Sequence, residues 1–111
     1  MKIEGKSKSQ YPETFAEFQK ITQFMYDLFS SKQADYGPTN IGMGQSVVVE
    51  DEHVKKSLLA LSVRMNDKVQ RLLNMTFNEH KPNHESLEDT LVDIANYAVM
   101  SVIVNRKKWG K

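Results

Sequence analysis

The stretch "ESLEDTLVDIANYAVMSVIV", residues 85–104, decides the fold of this chain. Its apolar residues recur every three or four positions, which is the period of an α-helix. The pattern predicts a helix that begins near Glu85 or Ser86 and runs to about Lys107. One stripe along this helix is apolar and consists of Leu87, Leu91, Ile94, Ala98 and Val102.

The opposite side of the same helix carries an acidic arc, which consists of Glu85, Asp89, Asp93 and Asn96. At about 100° per residue, these four side chains lie within an arc of about 80°. Such an arc is typical of a solvated face, but this one turns apolar further along, at Met100, Ile103 and Val104. We therefore predict two contact faces. One packs on the first helix, and the other packs on the second helix or on a second subunit.

The far end of this helix is apolar on nearly every side once Val99 and Val102 are included. A helix that is hydrophobic all round is normally buried. The sequence therefore predicts a homodimer or higher homo-oligomer with this helix near the interface. The alternative is an N-terminal segment that wraps over the helix.

Two further helices precede this one. The residues "TFAE", 14–17, fit a capping box, and the first helix is predicted over residues 14–33. Helical spacing of apolar residues predicts the second helix over residues 50–75. A loop rich in glycine separates them. We interpret "SVVVE", residues 46–50, as an ordered part of this loop, because a lone strand has nothing to pair with.

Three helices with short connections predict an all-α fold. We expect a small helical bundle of three main helices, with an antiparallel pair formed by the second and third, completed by oligomerisation. The length of 111 residues is typical of one domain. We place this domain at residues 12–108, after a flexible N-terminus (1–11) and before a C-terminal tail (109–111).

Composition restricts the class of protein. The formal net charge of +1 does not indicate nucleic-acid binding through a bulk field. The absence of cysteine removes disulfides and thiolate nucleophiles, and it suits a reducing compartment. No apolar run reaches the roughly 18 residues that a membrane span needs, and the N-terminus lacks the apolar core of a signal peptide. These features predict a cytoplasmic protein without a membrane partner.

Basic residues on the second helix require partners. With Leu61 at zero, Lys68 lies at about −20°, inside the apolar stripe, and Arg64 and Arg71 line its edge at about −60° and −80°. A lysine at that position must either extend to solvent or meet a carboxylate. If the second and third helices are antiparallel neighbours, the acidic arc faces Lys68 and Arg71.

Spacing leaves two interpretations of these charges open. In one, they form only a salt-bridge network between helices. In the other, they enclose a pocket in which Arg64, Lys68 and Arg71 hold a phosphate. Carboxylates at i, i+4 and i+8 also suit magnesium, which prefers oxygen ligands, and the candidate magnesium ligands are Glu85, Asp89 and Asp93.

Residues outside the second helix supply minor candidates. Tyr36 either stacks on a base or packs over the end of the bundle. Lys32 either meets a phosphate or is a solvated lysine at a helix end. His80 and His84 have a spacing that binds zinc on a helix, but Pro82 between them argues against that geometry.

Three blocks of the sequence carry a family resemblance, which covers most of residues 15–105. They resemble the phage and bacterial family called nucleotide modification associated domain 1, and they are "KQADYG" (32–37), "RMNDKVQRLLN" (64–74) and "ESLEDTLVDIANYA" (85–98). The third block is the most specific. This resemblance implies an association with nucleotide metabolism and does not define a reaction.

That family is in turn distantly similar to all-α nucleoside triphosphate pyrophosphohydrolases of the MazG and dimeric dUTPase type. Those proteins bind magnesium with an E-x-x-E pair on one helix and an E-x-x-D pair on the next. Here Asp93 matches the final aspartate, Thr90 stands three residues before it, and Asp67 is the only acidic residue where the first pair is expected. The resemblance therefore implies nucleotide binding more firmly than magnesium-dependent hydrolysis.

Three hypotheses of function follow. The first is a phage-type nucleotide-binding protein in which Lys68 and Arg71 hold phosphate and Tyr36 contacts the base or ribose; an enzymatic version would remove pyrophosphate from a nucleoside triphosphate. The second is a non-enzymatic anti-defence protein that sequesters a signalling nucleotide in the cytoplasm of a bacterial host. The third is a structural oligomer whose charges only form salt bridges.

Overall fold

The computed structural model describes residues 10–41, 47–82 and 85–111. This part of the chain forms three α-helices and one 3₁₀ turn: α1 (Pro12–Tyr36), the 3₁₀ turn (Pro38–Ile41), α2 (Asp51–Phe77) and α3 (Leu87–Asn105). Within these residues there is no β-strand, and the predicted all-α bundle of three main helices is confirmed. No helix in this part of the chain combines the length and the apolar character that a membrane crossing needs.

The first and last helices begin in different ways. α1 begins with Pro12, because the missing N–H of proline is not needed in the first turn of a helix. The capping box predicted at residues 14–17 is therefore wrong, since the helix starts earlier and Tyr11 precedes it without a side-chain cap. α3 begins as predicted, with Ser86 as the cap: its Oγ accepts a hydrogen bond from the Asp89 amide at 3.0 Å.

α2 and α3 form the predicted antiparallel pair. Lys107, just after α3, pairs with Asp51 at the start of α2, with 2.7 Å between Nζ and Oδ1. At the other end, Arg71 of α2 pairs with Glu85, just before α3, at 2.9 Å. The two helices bury apolar side chains against each other between these ion pairs, and the fully buried Leu61 lies in the same core cluster as Val104.

The face that α3 turns inward is not the one with the predicted apolar stripe. Leu87, Leu91 and Val102 of that stripe are 41%, 46% and 49% exposed. The buried residues Thr90 and Val104 lie on the other side of the helix. The physical reason is electrostatic, since an unpaired charge inside the bundle costs more than several half-exposed leucines. Because Lys68 lies within the inner face of α2, the acidic arc must face it.

The C-terminal tail contributes to the core. Trp109 is only 3% exposed, and its Nε1 donates a hydrogen bond to the Pro38 carbonyl at 2.8 Å. Its ring packs edge-on against Phe29, and its backbone forms an isolated antiparallel bridge with Val48. Trp109, which lies in the predicted C-terminal tail (109–111), therefore ties the chain end to the loop before α2.

α1 packs less completely than the other two helices. None of its residues is buried, and only its second half lies against α3. The radius of gyration, 16.2 Å, exceeds the roughly 13 Å expected of a compact domain of this length. The predicted flexible segment, residues 1–11, lies outside the described residues except for Gln10 and Tyr11, which are exposed. His84, whose pairing with His80 on zinc the intervening Pro82 argues against, also lies outside them.

Candidate functional site

A cavity of about 290 Å³ lies between the second half of α1 and the middle of α3. Side chains from all three helices and from the 3₁₀ turn reach it, so it depends on the whole fold. It is lined by Phe29, Lys32, Gln33, Tyr36, Asn40, Arg64, Asp93, Asn96, Tyr97 and Met100. We refer to this cavity as the α1–α3 pocket.

The end of α1 shapes one side of the pocket. Gly37 follows the helix with φ of +77° and ψ of 177°, a backbone conformation that side chains other than glycine rarely adopt. This sharp exit leads into the 3₁₀ turn and brings Asn40 back beside α1. Gln33 holds the turn there, because its Nε2 donates to the Gly37 carbonyl at 3.1 Å and to Asn40 Oδ1 at 3.3 Å.

Arg64 closes the pocket from α2. Its guanidinium donates a hydrogen bond to the backbone carbonyl of Asn40, which fixes the head group next to the 3₁₀ turn. Among the described residues, no carboxylate forms an ion pair with Arg64. An arginine held in place by a neutral carbonyl keeps donors for an anionic ligand, and its planar fork suits a phosphate.

Asp93 is the carboxylate that lines the pocket from α3. Its side chain is 12% exposed and lies between two lysines. Lys32 Nζ lies 3.3 Å from Oδ1, and Lys68 Nζ lies 2.9 Å from Oδ2. Lys32 is half exposed and reaches the pocket, whereas Lys68 is 25% exposed and is not among the pocket-lining residues.

Behind Asp93 the charges continue away from the pocket. Lys68 also pairs with Glu85 at 2.8 Å, and Arg71 pairs with the other carboxylate oxygen of Glu85 at 2.9 Å. Thr90, which is fully buried, donates to the same oxygen at 2.9 Å. The predicted contact of the acidic arc with Lys68 and Arg71 is therefore confirmed for Glu85 and Asp93. We refer to Lys32, Asp93, Lys68, Glu85 and Arg71 as the ionic chain.

Two pKa shifts follow from this packing. Burial acts to raise the pKa of the Asp93 carboxyl, but the hydrogen bond from Lys68 and the charges of Lys32 and Lys68 outweigh it and lower the pKa below its usual value. Burial likewise acts to lower the pKa of the Lys68 ammonium, and its bonds to Glu85 and Asp93 outweigh it, so the pKa is raised. Both groups are therefore charged at neutral pH.

Two of the three predicted magnesium ligands, Glu85 and Asp93, come together at Lys68. Within the described residues, no three acidic or histidine side chains are grouped as metal ligands. Both carboxylate oxygens of Glu85 and both of Asp93 already face a cation, at 3.3 Å or less. Asp89 is exposed. These donors do not fit a magnesium ion in this arrangement, because the ion would have to displace Lys68 from between the two carboxylates.

Apart from the exposed Asp89, the fold separates the predicted site residues into two groups. Lys32, Tyr36 and Arg64 lie at the pocket together with Asp93. Lys68, Arg71 and Glu85 lie behind Asp93, where Lys68 and Arg71 both pair with Glu85. The sequence did not point to ligand binding by the other pocket-lining residues, which are Phe29, Gln33, Asn40, Asn96, Tyr97 and Met100.

Part of this second set carries a signal in the sequence. Phe29, Gln33 and Tyr36 are spaced four and three residues apart, so they share a helix face with Lys32. Asn40 carries no such signal, because its position depends on the exit from α1 at Gly37. Together, the pocket and the ionic chain suit an anionic ligand. They hold four cations (Lys32, Arg64, Lys68 and Arg71) and only two carboxylates.

Comparison with known proteins adds one finding. The model of a family described as Nucleotide modification associated domain 1 matches residues 32–104, about two thirds of the chain. The matched range includes every pocket-lining residue except Phe29, and it includes the whole ionic chain. No curated protein and no solved structure matches the chain.

Proposed function

The chain belongs to the nucleotide modification associated domain 1 family, and from this premise we propose that it binds a nucleotide in the α1–α3 pocket. The observation that carries the proposal is the convergence of Lys32 and Arg64 with Tyr36 in one cavity. Cationic groups recognise phosphate, and an aromatic ring recognises a base. A nucleotide carries both of these groups, a phosphate and a base.

The size of the pocket limits the ligand. At about 290 Å³ it lies at the small end of the range for ligand sites, roughly 300–1,000 Å³. A pocket of this size accommodates one nucleotide unit, with additional phosphates extending toward solvent past the half-exposed Lys32. A single mononucleotide therefore fits the proposal better than a linked dinucleotide.

Each end of the nucleotide has its own partners. Arg64 and Lys32 bind the phosphate, because both keep donors that point into the pocket. Tyr36, which is 67% exposed at the rim of the pocket, stacks on the base. Tyr97 and Phe29 form an apolar wall of the pocket. Asp93 retains lone pairs that accept hydrogen bonds from a ribose hydroxyl or a base N–H.

Lys68 and Arg71 support the site from behind and do not take the phosphate themselves in this proposal. Their charged groups are already paired with Glu85 and Asp93. Their role is to hold Asp93 ionised and in place when Lys32 moves from the carboxylate to the ligand. Glu85, both of whose oxygens stay paired with Lys68 and Arg71, also favours binding without turnover over magnesium-assisted removal of pyrophosphate, since the latter needs several free oxygen ligands. We therefore propose that the protein sequesters a nucleotide and does not hydrolyse it.

The test is a binding screen with matched variants. Mono-, di- and triphosphates of all four bases and cyclic mononucleotides are compared by thermal shift, with and without magnesium. A ligand present at about 100 times its Kd adds about 2.7 kcal/mol to the free energy of unfolding. Arg64→Ala and Lys32→Ala should each raise the Kd of the best ligand about 10- to 100-fold, because each removes a charged phosphate partner.

Two controls complete this experiment. Lys20→Ala removes an α1 lysine that is 75% exposed and far from the pocket, and it should leave the Kd unchanged. Chromatography of the ligand recovered after denaturation distinguishes sequestration, in which it is intact, from hydrolysis. The proposal fails if no nucleotide stabilises the protein, or if Arg64→Ala and Lys32→Ala bind as tightly as Lys20→Ala.

A further inference from the structure

Two neighbouring clefts run along one side of α1. The first, about 570 Å³, is lined by residues of the first half of the helix, including Phe15 and Phe18. The second, about 260 Å³, lies between the second half of α1 and α3 and includes Tyr26 and Phe29. Thr22 belongs to both clefts, so together they form one continuous apolar groove along α1.

The side chains of this groove are unusually exposed for aromatic residues. Phe18 is 66% exposed and Tyr26 is 70% exposed. At about 100° per residue, Phe15, Phe18, Thr22 and Tyr26 lie within an arc of about 80°. In the second half of α1 this side of the helix adjoins α3, whereas in the first half no described element covers it.

We propose that this groove binds a second copy of the chain, with the two α1 helices antiparallel and a two-fold axis at Thr22. Phe18 and Tyr26 are each four residues from Thr22, and Phe15 and Phe29 are each seven residues from it. The axis therefore places Phe18 against the partner subunit's Tyr26 and Phe15 against the partner subunit's Phe29. The exposed half of each helix fills the groove of the other copy, as a self-complementary interface requires.

The centre of the groove suits close approach of two helices. Thr22 is small, and its hydroxyl is already bonded within its own helix, to the Phe18 carbonyl at 3.0 Å and to the Gln19 carbonyl at 3.1 Å. It therefore needs no polar partner when it is buried at the axis. Small residues at a helix crossing let the backbones approach, with larger side chains packing on either side.

The area also agrees with a dimer. An aromatic side chain of about 200 Å² that is two-thirds exposed contributes about 130 Å² to an interface. Phe18 and Tyr26 of both copies thus supply about 550 Å². This is about half of the roughly 1,200 Å² of the smaller stable interfaces, and the partly exposed Phe15, Met25 and Phe29 add to it together with the α3 residues that line the groove.

The dimer has a consequence for the α1–α3 pocket. Phe29 lines both the groove and the pocket, so the partner's helix covers the outer side of a pocket wall. The dimer itself does not depend on nucleotide binding and can be tested without any ligand.

A single cysteine tests the position of the axis. The chain contains no cysteine, so Thr22→Cys forms a disulfide only with its own copy in another chain. We expect this variant to give a covalent dimer of twice 12.8 kDa under mild oxidation. Phe77→Cys, at a site that is 81% exposed at the end of α2, is the control and should remain uncross-linked.

Glutamate substitutions in the groove test whether this surface forms the dimer interface. Wild-type protein should have the mass of a dimer by light scattering, and Phe18→Glu combined with Tyr26→Glu should halve it with unchanged helical circular dichroism. Leu59→Glu, at an α2 position that is 66% exposed, should remain dimeric. A wild-type monomer overturns the proposal. So does a dimer that survives the double substitution, or one that Leu91→Glu on the outer stripe of α3 disrupts instead.

Discussion

The α2–α3 pair and α1 differ in how they use their apolar surface. α2 and α3 bury residues against each other, among them Leu61 and Val104, and their charged residues pair across the contact. α1 is of similar length and buries none, and its aromatic side chains line a pocket and a groove. The α2–α3 pair therefore supplies the stability of the fold, while α1 supplies the surfaces proposed for a nucleotide and for a second copy of the chain.

The same contrast exists between the two lysines that meet Asp93. Lys68 is mostly covered and contacts two carboxylates, whereas Lys32 is half exposed and contacts one. An exposed ion pair contributes little to the free energy of unfolding, while a covered one becomes costly when one partner is removed. Lys68 is therefore a structural cation, and Lys32 remains available to a ligand.

The largest expected effect is in the core of the helix pair. Leu61→Ala should lower the free energy of unfolding by about 3 kcal/mol, because Leu61 is fully buried and the substitution leaves a cavity. Leu59→Ala, two residues away and 66% exposed, should change it by less than about 0.5 kcal/mol. Urea denaturation measures both. Equal losses in the two variants would contradict the assignment of the inner face of α2.

The ionic chain should give the next largest effect. Lys68→Met should lower the free energy of unfolding by about 2 kcal/mol, because Glu85 and Asp93 lose their shared partner while still partly covered. Lys56→Met removes an exposed ion pair with Glu52 and should cost less than about 0.5 kcal/mol. If the methionine at position 68 stabilised the protein, burial of charge at this site would be a net cost.

A smaller change in the free energy of unfolding is expected at Trp109, where the chain end joins the α2–α3 pair to the turn after α1. Trp109→Phe removes the hydrogen bond to the Pro38 carbonyl and should lower the free energy of unfolding by about 1 kcal/mol. It should also weaken nucleotide binding, since the bond holds the 3₁₀ turn that carries Asn40. Calorimetric titration with the best ligand checks the second point. Unchanged stability together with unchanged affinity would show that Trp109 does not couple the two regions.

The smallest effect is in the pH dependence of stability. The pKa of Asp93 is lowered in the folded protein, so its contribution is present above the unfolded pKa and is lost as pH falls through the folded one. Asp93→Asn should therefore reduce the loss of stability below about pH 5. The raised pKa of Lys68 does not act there, because its contribution is lost only as pH rises above the ordinary value of 10.5.

Asp89→Asn is the control for this measurement, since Asp89 is exposed and, within the described residues, forms no ion pair. Urea denaturation between pH 7 and pH 3 should give this variant the wild-type profile. The lowered pKa values of Asp51 and Glu52 act in every variant and cancel from the comparison. A steeper acid loss in Asp93→Asn than in wild type would reverse the sign and refute the assignment.

Part of the candidate site could be predicted from the sequence, and the reason is local geometry. The spacing of Lys68 among apolar residues showed that it needed a carboxylate, and the acidic arc offered Asp93 at helical spacing. The sequence did not show which of the basic residues face the pocket and which lie behind Asp93. The sequence places Lys68 inside an apolar stripe and Lys32 at a helix end, but only the packing of α1 on α3 shows that both lysines meet Asp93.

The sequence by itself determined the three helices, the antiparallel pair and the pairing of a lysine with the acidic arc, because helical period and the cost of an unpaired charge are local properties. Only the tertiary structure decided which face of α3 turns inward, that Trp109 joins the core and that Asn40 lies beside Arg64. These features depend on contacts between residues far apart in the chain, and α3 carries apolar residues on two faces that periodicity alone does not rank.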